Sequence, residues 1–205
     1  MIVGAGGHGR ELGDVIAAIN AAAPRWHLLG VVDDQPGENL ERLRRLGLPM
    51  LGPLAWLEQH GGTYGLGIGT SGTRRTIAEQ LGARGCEPAT LVHPGASVGS
   101  DTQLGHGAVV YERTVITTGV TIGTHTHLNV GCAIQHDSSV GNFVQVSPGV
   151  LINGDCVIGD DVFLGTGAII TRGCQVGARA RVGAGAVVLN DVPPGVTAVG
   201  VPARF

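Results

Sequence analysis

The sequence contains no lysine, so all 13 of its basic residues are arginines. This excludes mechanisms that depend on a lysine Schiff base or on the lysine of a phosphate-binding loop. The formal net charge is −3, which leaves no basic surplus to neutralise phosphates. We therefore expect neither a nucleic acid nor an acidic membrane surface as a partner.

Long hydrophobic runs are also missing. No stretch approaches the roughly eighteen consecutive apolar residues that a membrane-spanning helix needs, and no basic segment followed by an apolar one stands at the start. The 4 cysteines show neither CxxC spacing nor the density of a disulfide-stabilised secreted domain. We therefore expect a cytoplasmic protein with no membrane insertion.

Aromatic residues (3%) and charged residues (14%) are scarce, whereas glycine accounts for 36 of the 205 residues. Glycine is thus more than twice as frequent as its usual share of about 7%. Hydrophobic residues still make up 43% of the chain, enough for a sizeable core, which excludes a disordered protein.

Residues 1–88 alternate short apolar runs with helical patterns. Apolar residues recur at helical spacing between 12 and 19, runs at 28–32 and 64–68 predict strands, and 73–81 predicts a further helix. This order indicates a small parallel α/β domain of the Rossmann-like kind. The segment is too short for a full six-stranded dinucleotide fold.

From residue 98 the pattern changes to a repeat of six. Every sixth residue up to 188 is Val, Ile or Leu, which makes sixteen consecutive positions without a slip in register. A hexapeptide repeat of this kind is typical of a parallel β-helix. We therefore assign residues 89–205 to a second, β-helical domain.

Each hexad would form one short strand and one corner, and three hexads one triangular coil of about eighteen residues. The aliphatic residue would point inward, as would the small residue two positions earlier. Cys132, Cys156 and Cys174 occupy that small position, so we interpret them as core residues and not as ligands or disulfide partners. Glycine follows the aliphatic residue in eight hexads, where we expect the backbone to leave the ordinary φ and ψ regions.

The glycine-rich stretch at 4–9 reads Gly-Ala-Gly-Gly-His-Gly and fits the dinucleotide fingerprint GxGxxG. Asp33 follows 24 residues after Gly9, close to the expected spacing of about 20 residues. Two interpretations compete for this loop: a nicotinamide dinucleotide site, or a cradle for the base or phosphates of a nucleotide sugar.

Three motifs carry a resemblance to a known family: the loop at 4–9, Ile-Gln-His-Asp-Ser-Ser-Val-Gly at 134–141, and Val-Gly-Val-Pro-Ala-Arg at 199–204. Together with the order of the two domains, they resemble the bacterial sugar acetyltransferases of the sialic acid O-acetyltransferase type. That family includes the nucleotide-sugar N-acetyltransferases of the bacillosamine and perosamine pathways. The resemblance covers essentially the whole chain and implies a left-handed β-helix, a homotrimer and active sites between neighbouring prisms.

The resemblance also implies that His136 is the general base of acetyl transfer and that Asp137 orients its ring. Imidazole suits this task because it titrates near neutral pH. His136 lies two residues after Ile134, so we expect it at a corner with its side chain directed outward. The alternative is a solvated corner histidine with no chemical role.

For acetyl-CoA as acetyl donor, the resemblance points to Gln145, Thr166 and Ala184, with Gly154 near the amide that would stabilise the oxyanion. Many relatives carry histidine in place of Gln145, whose amide can still donate a hydrogen bond to a thioester carbonyl. The resemblance favours the nucleotide-sugar interpretation of the glycine loop, with contacts from Gly6, Gly7, His8, Asp33, Asp34 and Gly69. Asn129 matches a polar residue near the acceptor, although a solvated corner residue is an equal alternative.

His125 and His127 form an HxH pair on the outward side of one hexad, which raises the alternative of a metal site. Zinc-dependent carbonic anhydrases are also built on left-handed β-helices, but a resemblance to them would require an HxxxxH pair. No two histidines in this chain are five residues apart, and we expect no metal.

These observations lead to one predicted function and two alternatives. We expect an acetyl-CoA-dependent N-acetyltransferase that acts on the amine of a nucleotide-linked 4-amino-4,6-dideoxy sugar. The first alternative is an O-acetyltransferase acting on sialic acid or a related surface sugar. The second is a non-catalytic, nucleotide-sugar-binding scaffold whose prism serves only to form a trimer.

Overall fold

The computed structural model describes all 205 residues, which form two compact units, Met1–Pro94 and Gly95–Phe205. The hexad pattern had placed the change of domain after residue 88. None of the helices combines the length and apolar character needed to cross a membrane.

The first unit contains six short strands and four helices. In chain order these are β1 (Ile2–Val3), α1 (Gly7–Ala22), β2 (Val31–Val32), α2 (Asn39–Arg45), β3 (Met50–Gly52), α3 (Leu54–His60), β4 (Thr63–Leu66), α4 (Ser71–Gly82), β5 (Glu87–Pro88) and β6 (Leu91–Val92).

Five of these strands form one parallel sheet in the order β3-β2-β1-β4-β5. The strand order reverses between β1 and β4, and open α/β sheets bind their ligands at the carboxyl ends of strands beside such a reversal. The glycine loop connects β1 to α1 at this edge, so the fold positions it for ligand binding.

Helices α1 and α4 were predicted from apolar spacing, and the structure confirms them. Leu12, Val15 and Ile16 of α1 are buried, as expected for an amphipathic helix. Helices α2 and α3 and strand β3 were not predicted. Each of these elements is only 3 to 7 residues long, so none spans enough turns to show a periodic pattern.

In the second unit, seventeen two-residue strands form three parallel faces. The first face comprises β7 (Ser97–Val98), β10 (Val115–Ile116), β13 (Ala133–Ile134), β16 (Leu151–Ile152), β19 (Ile169–Ile170) and β22 (Val187–Val188). The second comprises β8 (Gln103–Leu104), β11 (Thr121–Ile122), β14 (Ser139–Val140), β17 (Val157–Ile158) and β20 (Gln175–Val176). The third contains β9 (Val109–Val110), β12 (His127–Leu128), β15 (Gln145–Val146), β18 (Phe163–Leu164), β21 (Arg181–Val182) and β23 (Thr197–Ala198).

Strands that pair with one another lie one coil apart along the chain. Val115 pairs with Ala133, and Ala133 pairs with Leu151, so each coil takes 18 residues. Of the repeated aliphatic residues, only Val98 and Leu104 in the first coil are not buried, because no earlier coil covers them. Cys132, Cys156 and Cys174 are buried and unpaired to one another. The predicted parallel β-helix is therefore confirmed, and it has the left-handed form.

The expectation for the repeated glycines was wrong. Positive φ angles occur three residues after the aliphatic position in every hexad from 101 to 185, and Asp137 is one such residue with φ 60°. The glycines directly after the aliphatic residue are needed because neighbouring coils approach closely. A Cβ on Gly123 would lie 2.4 Å from the carbonyl carbon of Gly141 in the next coil.

Candidate active site

His136 and Asp137 lie at the corner of the prism between the first and second faces. His136 Nδ1 lies 2.8 Å from Asp137 Oδ2, and the two side chains are 44% and 64% exposed. Because an ionised carboxylate only accepts hydrogen bonds, this contact places the imidazole proton on Nδ1. Nε2 is then the nitrogen that can accept a proton. The 2.8 Å contact and the exposure of the ring agree with the predicted pairing and outward direction of His136.

The next coil places two further residues beside this pair. A Cβ on Gly154 would lie 2.6 Å from Cε1 of His136, so the ring lies directly against the Gly154 backbone. The Asp155 carboxylate accepts a hydrogen bond of 2.8 Å from Nε of Arg172. Sequence reasoning missed Asp155 and Arg172, although their hexad positions one and two coils along the same corner could have indicated them.

Ser138 fixes the backbone of this corner from inside the prism. Its Oγ donates a hydrogen bond to the carbonyl of Asn153 at 3.0 Å and accepts one from the N–H of Cys156 at 3.1 Å. Ser138 directly follows Asp137, and its partners Asn153 and Cys156 lie on either side of Gly154 and Asp155 in the sequence. The hydroxyl therefore ties the two coils together at the point where the His136 ring meets Gly154.

The same corner has a donor set that could hold a cation. His136, Asp137 and Asp155 place one donor atom each within 4.8 Å of one another. The Arg172 guanidinium on Asp155 supplies positive charge to this group, and Asp137 already binds the imidazole Nδ1. The hydrogen bonds between these side chains account for the arrangement without an ion.

The HxH pair does not lie at this corner. Its outward position had suggested exposed side chains, but the structure does not expose them. His125 and His127 are both buried. The ring of His125 stacks on Phe143, with ring centroids 5.0 Å apart. The pair therefore belongs to a packed region of the prism.

The residues predicted to bind acetyl-CoA are divided between parts of the prism. Gly154 lies with His136, whereas Gln145 lies buried on the third face, in register with His127 and Phe163. Thr166 and Ala184 follow β18 and β21 and lie at the corner between the third and first faces. Within one chain, the structure thus does not bring these three residues to the corner of His136.

Asn129 is also at the corner between the third and first faces. It is buried and not solvated, and its Oδ1 accepts a hydrogen bond from the N–H of Val130 at 2.9 Å. The alternative of a solvated corner residue is therefore wrong.

In the first unit, the glycine loop is held by close backbone packing and by Asp33. A Cβ on Gly9 would meet the Gly4 carbonyl oxygen, and a Cβ on Gly67 would lie 2.3 Å from the Cα of Gly9. Only glycine allows α1 to begin so close to β1 and β4. A Cβ on Gly6 would meet nothing within 4 Å, so this part of the loop can be approached by a ligand.

The two acidic residues after β2 bind the backbone of the surrounding loops. Asp33 accepts hydrogen bonds from the N–H groups of Ala5 (2.7 Å) and Gln35 (2.8 Å). Asp34 accepts one from the N–H of Leu54 at 2.8 Å, at the start of α3. The structure therefore gives both carboxylates a role in shaping the loops at the carboxyl edge of the sheet.

A cavity of about 320 Å³ opens beside these carboxylates. It is lined by Val3, Gly4, Asp33, Asp34, Gln35, Leu54, Ile68, Thr73 and Ile77. Of the predicted contacts, Asp33 and Asp34 line it, whereas Gly6, Gly7, His8 and Gly69 do not. The last two are neighbours, because a Cβ on Gly69 would lie 3.4 Å from Nε2 of His8.

Arg74 is a further residue of this edge that the sequence did not indicate. It is fully buried, and its Nη1 donates hydrogen bonds of 3.0 Å to the carbonyls of Ile68 and Gly69. These bonds hold the loop between β4 and α4, which contains Ile68 of the cavity lining and the predicted contact Gly69.

Both units match described sequence families. Residues 1–81 match the PglD N-terminal domain, and residues 155–190 match the bacterial transferase hexapeptide of six repeats. The acetyltransferase domain of PglB from Neisseria gonorrhoeae FA1090, solved in complex with acetyl coenzyme A, is 30% identical to this chain. The superposition covers 99% of this chain and 96% of that one, with a TM-score of 0.89. The chain belongs to the hexapeptide-repeat family of nucleotide-sugar acetyltransferases.

Two other members are similar to this chain. PerB from Caulobacter crescentus, solved in complex with CoA and GDP-perosamine, is 29% identical, with 99% of this chain and 94% of that chain covered and a TM-score of 0.88. The GDP-perosamine N-acetyltransferase of Escherichia coli O157:H7 is 32% identical over 145 residues, which are 70% of this chain. The match spans 64% of the length of that relative.

Proposed function

We propose that this chain is a cytoplasmic enzyme that transfers the acetyl group of acetyl-CoA to the amine of a nucleotide-linked 4-amino-4,6-dideoxy sugar. The observation that carries the proposal is the 2.8 Å contact between His136 Nδ1 and Asp137 Oδ2. It makes Nε2 a proton acceptor at an exposed corner of a fold whose relatives are acetyltransferases.

In the proposed reaction, Nε2 of His136 removes a proton from the amine as its nitrogen attacks the thioester carbonyl carbon. The new C–N bond gives a tetrahedral oxyanion, which the backbone N–H of Gly154 would stabilise. Collapse of this intermediate breaks the C–S bond, and the imidazolium returns the proton to the CoA sulfur. Asp137 holds the ring in the required tautomer and stabilises its positive charge between the two proton transfers.

The nucleotide part of the acceptor is proposed to bind at the carboxyl edge of the sheet in the first unit. Gly6, Gly7 and His8 would approach it from the glycine loop, Gly69 from the loop between β4 and α4, and Asp33 and Asp34 from the cavity that they line. The open space at Gly6 supports this placement, because a phosphate or base can approach the backbone there. A role for Asn129 near the acceptor is part of the same proposal.

The enzyme is further proposed to be a homotrimer with acetyl-CoA bound between subunits. Gln145, Thr166 and Ala184 would then contact acetyl-CoA beside the His136 of a neighbouring subunit, which is why they need not share its corner. The outer side of the first face supports the trimer. It presents an apolar column in which Val115 and Leu151 are each 41% exposed, and Ala133, Ile169 and Val187 complete it.

The test is release of CoA thiol from acetyl-CoA with a panel of acceptors. The panel contains 4-amino-4,6-dideoxy sugars linked to GDP, UDP or dTDP, their N-acetylated products as matched controls, and sialic acid. Turnover is expected with a nucleotide-linked amine only. Turnover of sialic acid alone would establish the O-acetyltransferase alternative, and binding of nucleotide sugars without thiol release would establish the scaffold.

A further inference from the structure

Gly154 has a hexad position that is otherwise never glycine. It lies two residues after the aliphatic residue, and the fifteen equivalent positions between 100 and 190 all carry side chains. His136 has the same hexad position one coil earlier. The one glycine in the series therefore lies directly beside the proposed catalytic base.

The backbone of Gly154 does not account for the glycine. Its φ angle is outside the left-handed region, which in these coils is occupied by the following residue, Asp155, with φ 60°. Alanine has the same hexad position at Ala178 and Ala184. A Cβ is therefore compatible with the coil itself at this position.

The space that a Cβ would need is occupied by the imidazole. Built on Gly154, a Cβ would lie 2.6 Å from Cε1, 2.7 Å from Nε2 and 3.1 Å from Nδ1 of His136. The three nearest atoms thus all belong to that ring. Because the His136 side chain is 44% exposed, the ring could swing outward to avoid the new carbon, but it would then leave Asp137.

We propose that Gly154 is a positioning residue. Because it has no side chain, its backbone forms the surface on which the His136 ring rests while Nδ1 is bonded to Asp137. This inference deepens the proposed function and rests on His136 being the general base. It is separate from any role of the Gly154 amide, because alanine keeps the N–H and adds only the carbon that displaces the ring.

The test is a double-mutant cycle of Gly154→Ala and His136→Ala, measured by turnover and by thermal unfolding. Gly154→Ala alone is expected to lower kcat roughly a hundredfold, since a displacement of about 1 Å at a catalytic group can cost this much. The KM values for acetyl-CoA and the sugar should change less than about twofold. The melting temperature should fall by about 2–4 °C, the usual consequence of a modest loss of stability in a chain of this length.

In the His136→Ala background the ring is absent, and the same substitution should have the opposite thermal effect. A glycine replaced by alanine at a compatible backbone conformation stabilises a protein by restricting its unfolded state. The double variant should therefore melt at or above the temperature of His136→Ala and retain the same residual turnover. An equal loss of melting temperature in both backgrounds, or normal kcat in Gly154→Ala, would overturn the proposal.

The sign of the thermal effect does not depend on what the enzyme acetylates. If His136→Ala retained full turnover, the assignment of the base would fail, yet the melting temperatures would still report whether the ring rests on Gly154. The matched control is Ala178→Ser, which adds one atom at the same hexad position on another corner. It is expected to leave kcat and the melting temperature unchanged.

Discussion

Asp33 Oδ2 accepts a hydrogen bond of 2.7 Å from the backbone N–H of Ala5, and so connects the end of β2 to the glycine loop 28 residues earlier. Its other oxygen binds the N–H of Gln35 at 2.8 Å. Asp33 is at the position where dinucleotide-binding domains carry the acidic residue that contacts a ribose. In this chain it also holds the loop against which a nucleotide would bind.

Asp33→Asn is therefore expected to raise KM for the nucleotide sugar roughly tenfold or more and to leave KM for acetyl-CoA unchanged. Hydrogen bonds to a charged group are stronger than neutral ones, and their loss would loosen the loop. Steady-state kinetics with each substrate varied in turn would measure both constants. Asp14→Asn, at an exposed position of α1, is the matched control and should change neither.

The same loop distinguishes a nucleotide-sugar site from a dinucleotide site. The first unit has a single parallel sheet of five strands, one fewer than the six strands of the two mononucleotide-binding halves of a dinucleotide fold. Calorimetry should show saturable binding of a nucleotide sugar and none of NADH at millimolar concentration. Tight NADH binding, or an Asp33→Asn variant impaired only toward acetyl-CoA, would contradict the assignment.

His136→Ala is expected to lower kcat by about 10² to 10⁴, the usual contribution of a general base. The side chain lies at an exposed corner, so the melting temperature should fall little. Asp137→Asn should cost less, because the amide can still occupy the same place but no longer stabilises the imidazolium. Near-normal turnover in His136→Ala would mean that the amine attacks without this base.

The repeat allowed much of the prism to be predicted, because every hexad makes the same structural demand. Ile134 and Ile152 are fully buried as their register required, and His136 two residues further on is at the expected corner. The first unit has no such redundancy. Its middle segment mixes charged residues, glycine and proline in elements of a few residues, so α2 and α3 were not foreseen.

The site was predictable only where residues that are adjacent in one motif form it. His136 and Asp137 are adjacent in sequence, and their pairing follows from the motif. The contact of the ring with Gly154 depends on the side-chain torsion angles of His136, which no spacing in the sequence determines. The hexad positions of Asp155 and Arg172 place them on neighbouring coils of one corner, but the hydrogen bond between them likewise depends on side-chain torsion angles.

The proposed trimer can be tested at the apolar column of the first face. Leu151→Glu would place a charge in the middle of this column, so the mass in solution should fall from three times the 20.8 kDa of the chain toward that of the monomer. Thr121→Glu, an exposed position on the second face, is the control and should leave the mass unchanged. Light scattering coupled to size exclusion measures both, and a wild-type monomer would contradict the trimer.

The close approach of neighbouring coils predicts opposite outcomes at two kinds of glycine. Gly123→Ala should destabilise by about 1–3 kcal/mol or more, because its Cβ would lie 2.4 Å from backbone of the next coil. Gly131→Asn should be tolerated, since Gly131 has the positive φ that Asp137 and Phe143 also adopt and has open space around it. Chemical denaturation would compare the two. Equal losses would mean that φ and not coil contact determines the choice of glycine.

The buried thiol of Cys132 predicts how stability depends on pH in alkaline solution. Burial raises the pKa of this thiol from its ordinary value of 9.0 to about 11, because the thiolate would lose its hydration inside the prism. The folded state therefore holds its proton more tightly than the unfolded state does. The stability that this provides is complete below about pH 9 and is lost as the pH rises toward 11.

Cys132→Val removes the ionisable group while keeping an inward residue of the kind found one coil later at Val150, which is fully buried. The melting temperature of the wild type should consequently fall more steeply than that of the variant between about pH 8 and pH 10.5. Tyr64, whose pKa burial raises to about 12, contributes the same alkaline loss to both proteins. Parallel pH profiles would show that the Cys132 thiol ionises in the folded prism as easily as in the unfolded chain, contrary to its complete burial.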